Sequence, residues 1–312
     1  MGRWMENQTV RHAIADFTKD REVGFKKSKD MVKENDMWFR KCRIQHANIL
    51  PEWMESLEGN KYGISLYIST NILDWDKFPK LPPDFRGIYD VDTVQEWKWQ
   101  WKELMDSAKK YVIGKNIVFD IDADGEETLM EAFYKADIIC EVLAEKNLKP
   151  RMVFSGGKGF HIWLTEEDTV SLTDYHISEV DDYPADTLRQ LSNIHRDWVK
   201  AVSQEALGSQ LPYLDESPNF RQGIIRCPYS IHHRSGQVVW PLDEKELNIL
   251  RKYSMEDSLT VNDIAKLIHE WEIPNESPLV DSDKPTWIHP EAEVFERGLP
   301  EWVPPRGNVV SR

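Results

Sequence analysis

The sequence has 312 residues, of which 40% are hydrophobic and 30% charged, and its formal net charge is −15. This composition excludes a disordered or fibrous chain and allows one large domain or two small ones. The acidic balance excludes a protein that coats nucleic acid by bulk charge, but not an enzyme with a local basic cleft. No stretch reaches the ~20 apolar residues of a membrane span. The first residues, MGRWME, carry no apolar signal core and no Ser or Thr at position 6 for myristoylation. The three cysteines, Cys42, Cys140 and Cys227, have no CxxC spacing, so neither a disulfide framework nor a zinc site is expected. These features predict a cytoplasmic protein, or a nuclear one in a eukaryote, without membrane contact.

In chain order, the segment up to Arg43 is locally basic and reads equally as a solvated face or a phosphate-facing one. Residues 62–69 alternate as a strand, 78–84 form a Pro-rich loop, and a helix is expected from Asp92, its N-cap, to about Tyr111. NIVFDIDAD (116–124) reads as a strand. Period-two alternation puts Ile117, Phe119, Ile121 and Ala123 on one face and Val118, Asp120, Asp122 and Asp124 on the other. A helix follows with Glu126 and Glu127 in its first turn, and Leu129, Phe133, Ala136, Cys140 and Leu143 form its buried stripe. With strand 151–154 this is a βαβ-type unit. The tight loop Ser155-Gly-Gly-Lys-Gly159 leads into strand 160–164, where His161 shares a face with Trp163. An acidic linker (about 166–186), a helix (187–207), strand 223–227, a turn at 228–236, a hairpin-closing strand at 238–240 and a helix (263–271) complete the pattern. From Pro274 prolines and acids dominate. The expected organisation is a core over 1–273, with its motif block at 115–240, and a tail over 274–312 that wraps the core or is partly disordered.

Asp120 and Asp122, at i and i+2 on one strand face, bring several anionic oxygens to one point. Like charges at close range resist joint ionisation, and a divalent cation removes the repulsion. Mg²⁺ takes one or two carboxylates plus substrate phosphates. A lone DxD is usually a solvated strand end, but the apolar opposite face favours the metal reading here. Asp124 reads as a helix N-cap rather than a ligand. In 155–159 the glycines free backbone N–H groups for an anion, Lys158 adds a point charge and His161 a donor. No Lys-Ser or Lys-Thr pair follows, so this is not a Walker A loop. Arg226, Ser230, His232, His233 and Arg234 repeat the same make-up in the second turn and favour a triphosphate contact. Asp215 precedes that turn by a short loop, although spacing alone does not single it out among the acidic residues.

FDIDAD (119–124), SGGKGFHIW (155–163), Asp215 and RCPYSIHHRSG (226–236), in that order, resemble the archaeo-eukaryotic primase superfamily, closest to the small catalytic subunit of DNA primase. Arg21-Glu22 and Trp38-Phe39-Arg40 resemble its N-terminal elements more weakly. The resemblance implies a mixed α/β (α+β) primase-type core, with a mixed sheet flanked by helices. It implies that Asp120, Asp122 and Asp215 are catalytic and hold Mg²⁺ or Mn²⁺. Ser155, Gly156, Lys158 and His161 would form the nucleotide-phosphate loop, Arg226, Ser230 and His232 would contact the triphosphate, and Arg40 the nucleotide. The chain departs from the small-subunit pattern in lacking a Cys/His zinc motif and in carrying Gly157 at the first basic position of the loop; the missing zinc element, with the short acidic body, points to a plasmid- or virus-type primase-polymerase or a divergent homologue. The implied activity is template-directed primer synthesis on single-stranded DNA from NTPs or dNTPs, with a large primase subunit as a candidate partner. The alternatives are an extension-only repair or lesion-bypass polymerase and a catalytically idle accessory protein that binds nucleotide or nucleic acid.

Overall fold

The structure is a computed structural model that describes residues 7–27, 38–44, 47–48, 50–51, 64–77, 96, 99–100, 111–125, 127–164, 185–208, 213–221 and 223–269. Helix α1 (Gln8–Thr18) starts at Asn7, whose side-chain oxygen accepts from the N–H groups of Thr9 and Val10, a local cap for otherwise unpaired donors. Its buried apolar residues, Val10, Ile14 and Phe17, step by 4 and 3 along one face. The basic segment that follows supplies two strands, β1 (Val23–Lys27) and β2 (Trp38–Cys42). Their alternation is short, and only pairing with β3 (Ile64–Ser69) gives Val23 and Phe25 a buried face, opposite Ile68 and Leu66.

Strands β4 (Asn71–Leu73) and β5 (Val112–Lys115) form a small ribbon. The expected helix from Asp92 to Tyr111 lies almost wholly outside the described residues; positions 96, 99 and 100 within it are helical. Next come β6 (Ile117–Asp122), α2 (Leu129–Glu145), β7 (Arg151–Phe154) and β8 (Gly159–Leu164). Strand β8 pairs antiparallel with both β6 and β7 and lies between them. The βαβ-type unit is therefore a split one, with its two parallel strands separated by the third.

Helix α3 (Ala185–Leu207), the two-residue β9 (Tyr213–Leu214), β10 (Ile224–Arg226), β11 (Trp240–Pro241), α4 (Glu244–Leu250) and α5 (Val261–His269) follow. Besides the β4-β5 ribbon, the described strands form two larger sheets, one of order β10-β3-β1-β2 and one of order β11-β7-β8-β6-β9. The expected hairpin between 223–227 and 238–240 is narrower than its pattern suggested. Residues 229–232 bond to 237–239, while β10 joins β3 in one sheet and β11 joins β7 in the other. The turn thus ties the two sheets together. The acidic linker and the tail from Pro274 lie outside the described residues.

The faces of the five-stranded sheet follow the alternation. Phe119 and Phe160 point to the helices, where they meet Trp198 of α3 and Phe133 of α2 edge-on at ring distances of 5.9 and 5.5 Å. On the opposite face Trp163 meets Phe17 of α1 at 5.8 Å. The N-cap of α2 is Thr128, not Asp124. Its hydroxyl accepts from the Glu131 N–H at 3.0 Å while Glu131 bonds back to the Thr128 N–H at 2.5 Å. A capping box outcompetes an aspartate four residues earlier because it satisfies two orphan donors at once. Glu131 is the first-turn acid in place of Glu127, while Glu126 lies outside the described residues. Among the described residues no helix is long and apolar enough to cross a membrane.

Candidate active site

The backbone groups of Asp120 and Val118 face the β9 side of β6, where Asp120 C=O accepts from Asp215 N–H at 3.3 Å. Asp120 and His161 are consequently a non-hydrogen-bonded antiparallel pair, the kind whose side chains lie closest. His161 Nε2 is 3.4 Å from Asp120 Oδ1. The next pair is Asp122 with Gly159. A Cβ on Gly159 would fall 2.0 Å from Ile121 O and 2.7 Å from Asp122 Oδ1, so only glycine lets β8 lie this close to the carboxylate. Lys158, just outside the ladder, sets its Nζ 3.2 Å from Asp122 Oδ2.

Extending the β6–β9 register by one residue sets Asp215 opposite Asp120. All three aspartates thus come from neighbouring positions on two adjacent strands, a proximity that chain order alone did not give. Asp215 Oδ1 also accepts from Ser217 N–H at 2.8 Å. Burial first, then the Asp122 charge, pushes the Asp120 carboxyl well above the usual carboxylate range; Arg226 and Lys158 pull the other way, and Asp215 adds to the rise.

Ser155 organises the phosphate loop from within. It is fully buried, and its hydroxyl oxygen accepts from the N–H groups of Gly157 and Gly159, both at 3.3 Å. Gly156, at φ +68°, packs this loop on the second turn, where a Cβ would lie 2.9 Å from Gln237 O. The Ser235 hydroxyl donates to Gly156 C=O across the same contact. His232 Nδ1 accepts from the N–H groups of Arg234 and Ser235 at 3.3 and 3.2 Å. Its proton therefore resides on Nε2, which lies 3.0 Å from the point where a Cβ on Gly157 would stand. Burial, then Arg226, holds both His161 and His232 far below the ordinary imidazole range, so both rings are neutral.

Arg226 reaches this site from the other sheet. Its charge acts on Asp120, His161 and His232, and its Nε is buried without a hydrogen-bond partner. Ser230 is fully buried and donates its hydroxyl to Cys227 C=O at 2.6 Å, which serves the turn. The backbone of Arg40 pairs with Gly24 on β1, while its side chain lies outside the described residues. Arg21, buried, donates to Ser69 C=O and to Asn116 Oδ1, and so fastens the junction of the strands. Arg234 joins this cluster as the second-turn pattern suggested, whereas Lys26 escaped the sequence reading as a member of it. Lys26 and Arg234 both act on His232, and the Lys26 ammonium is pulled down by burial, then by Arg226 and Arg234. The basic run around Lys26 was visible in the sequence, but its sheet partner was not.

Asp120 Oδ1, Asp122 Oδ1 and both His161 nitrogens are buried without hydrogen-bond partners. Buried polar atoms rarely stay unpaired, and hard anionic oxygens of this kind suit Mg²⁺ or Mn²⁺. Among the described residues no set of three or more His, Cys, Asp or Glu side chains is gathered into a preformed metal cage. A site of one or two carboxylates completed by substrate phosphates does not require one.

The family described as LigD, primase-polymerase domain, matches residues 87–274. The DNA primase small subunit PriS of Pyrobaculum aerophilum is 27% identical over 208 residues, which cover 56% of this chain and 66% of that protein. PriS of Pyrobaculum arsenaticum is 29% identical over 175 residues, covering 46% and 56%. The chain thus aligns with less than two thirds of the length of these curated relatives. Among solved structures, the polymerase domain from Mycobacterium tuberculosis Ligase D in complex with DNA is similar, with a TM-score of 0.48, 14% identity, and coverage of 86% of this chain and 87% of that one.

Proposed function

This chain belongs to the LigD primase-polymerase domain family, and from that premise we propose that it is a metal-dependent, DNA-directed nucleotidyltransferase that makes primers on single-stranded DNA. The observation that carries the reading is a set of buried, unsatisfied groups. Asp120 Oδ1, Asp122 Oδ1, both His161 nitrogens and Arg226 Nε are buried without hydrogen-bond partners, with His161 Nε2 3.4 Å from Asp120 Oδ1 and the Arg226 charge acting on Asp120. Such an arrangement is costly unless a ligand completes it.

In this reading Asp120, Asp122 and Asp215 hold Mg²⁺ or Mn²⁺. When bound, the cation acidifies the attacking 3′-hydroxyl and neutralises charge on the leaving pyrophosphate. The chain's own groups do the rest. Lys158, the 155–159 backbone and Arg226 bind the triphosphate. His232, whose Nδ1 accepts two backbone N–H bonds, presents Nε2–H to the same place. His161, neutral and fully buried, offers a donor beside Asp120. Ser155 and Gly156 keep the loop in shape, Ser230 supports the second turn, and Arg40 is assigned to the incoming nucleotide. No protein nucleophile is needed.

The relatives named PriS favour primer synthesis, whereas the family name covers primases and polymerases alike. An assay with single-stranded template, labelled NTPs or dNTPs and no primer separates the two; product only from a pre-annealed primer supports extension alone. Asp120→Asn and Asp122→Asn are each expected to lower synthesis by about 10²–10³-fold with the fold intact by circular dichroism. Undiminished synthesis in both variants refutes the assignment, and nucleotide binding without pyrophosphate release from the wild type indicates an idle accessory protein. Because the relatives are small subunits, a large primase subunit is the partner to seek by copurification.

A further inference from the structure

Asp215 enters the site on a strand of two residues. β9 pairs with β6 only at Leu214 and Tyr213, and Asp215 adds one backbone bond of 3.3 Å to Asp120. Carried on, the antiparallel register would set residue 217 against Val118. Instead the chain turns away through Ser217–Asn219, and Ser217 N–H donates back to Asp215 Oδ1. Val118 is fully buried, so its N–H and C=O on this edge require partners. The Asn219 side chain supplies both: Oδ1 accepts from Val118 N–H at 3.1 Å, and Nδ2 donates to Val118 C=O at 2.6 Å. A carboxamide carries the same donor and acceptor as a peptide unit, so Asn219 replaces the missing strand residue. Two buried groups fasten the same segment. Thr70 Oγ1 donates to Pro218 C=O at 2.7 Å, and Lys115 Nζ donates to Phe220 C=O at 2.9 Å.

We infer that Asn219 is a positioning residue for Asp215: by closing the edge of β6 with its carboxamide, it fixes the loop that sets the Asp215 carboxylate beside Asp120. Asn219 is wholly buried and is assigned no contact with substrate or cation. The inference rests on the proposed role of Asp215 as a metal ligand.

The test is Mn²⁺ binding to the full chain without nucleotide or DNA, followed by the electron paramagnetic resonance signal of free Mn²⁺, with thermal unfolding in parallel. Asp215→Asn and Asn219→Ala are each expected to weaken Mn²⁺ binding about tenfold, the usual scale for losing a group that orients a ligand. The double variant should bind no more weakly than Asp215→Asn, because the amide acts through the carboxylate. Leu143→Ala, a core truncation near the C-terminal end of α2, should lower the melting temperature and leave Mn²⁺ affinity unchanged. Asn219→Asp keeps the acceptor for Val118 N–H but turns a carboxylate oxygen toward Val118 C=O in place of the donor, so weakened Mn²⁺ binding is expected here too; it carries the test if Asn219→Ala does not fold. Wild-type affinity in the folded Asn219 variants, with Asp215→Asn weakened, overturns the inference and spares the proposed function. Additive losses in the double variant also overturn it. Wild-type affinity in Asp215→Asn removes Asp215 from the metal site and overturns the inference with it.

Discussion

At Gly159 a missing methyl group decides how near the phosphate loop can come to Asp122. The Cβ of any other residue would sit 2.0 Å from the Ile121 carbonyl oxygen, a backbone atom that can move only by displacing β6. Gly159→Ala is therefore expected to destabilise the chain by about 1–3 kcal/mol, the cost of overpacking, and to displace the pairing that brings Asp120 against His161. Denaturant titration measures the first effect and the assay on single-stranded template the second. An alanine variant with wild-type stability would mean that the strands can separate freely at this point. The role of Ser155 is equally local. A hydroxyl that accepts two loop N–H groups spends its lone pairs on shape. Because the Gly157 and Gly159 N–H groups are thereby taken, ligand binding falls to Lys158 rather than to these glycine donors.

Between β11 and α4 one side chain joins two elements. Glu246 closes the capping box of α4 with Asp243, and its Oε1 accepts from Trp240 Nε1 at 2.9 Å. Burial raises its pKa from 4.5 to about 7, although the hydrogen bonds from the Asp243 backbone N–H and from Trp240 oppose the rise. A carboxyl whose folded pKa exceeds its unfolded value binds more protons in the native state, so stability falls as pH rises between the two values. Stability should therefore decline from about pH 4.5 to about pH 7 through this group and level off above. Glu246→Gln should flatten that part of the profile in denaturant titrations at a series of pH values. An unchanged slope would show that Glu246 titrates normally. The same elements explain why the second turn is rigid enough to hold His232. It is anchored by β10 in one sheet and β11 in the other, with Tyr229 against Trp240 edge-on at 5.8 Å.

Across the whole molecule, a net charge of −15 opposes DNA, while Lys26, Arg226 and Arg234 lie close enough to act on one another, and Arg226 and Lys158 act on Asp120. These cations offer a phosphate a local attraction that the net charge does not. Single-stranded DNA binding should weaken with salt, but shallowly. Two to four neutralised phosphates give a slope of about −1.4 to −2.8 in log K against log salt, at ~0.7 per phosphate for single strands. Fluorescence anisotropy across a salt series reads this directly. A slope near zero would mean that no phosphate is held by these cations.

The sequence by itself determined the local patterns of this protein. Alternation in 116–124 fixed which face of β6 carries carboxylates, glycines marked both turns, and the 3-4 spacing in α2 marked its buried stripe, because each depends only on near neighbours. The tertiary structure decided what depends on register. It alone placed β8 between β6 and β7, drew β1 and β2 out of a basic run, set Asp215 opposite Asp120, and gave Asn219 the vacant edge of Val118. No spacing encodes these relations, since backbone pairing between distant segments is chosen by the burial that the assembled sheets make possible.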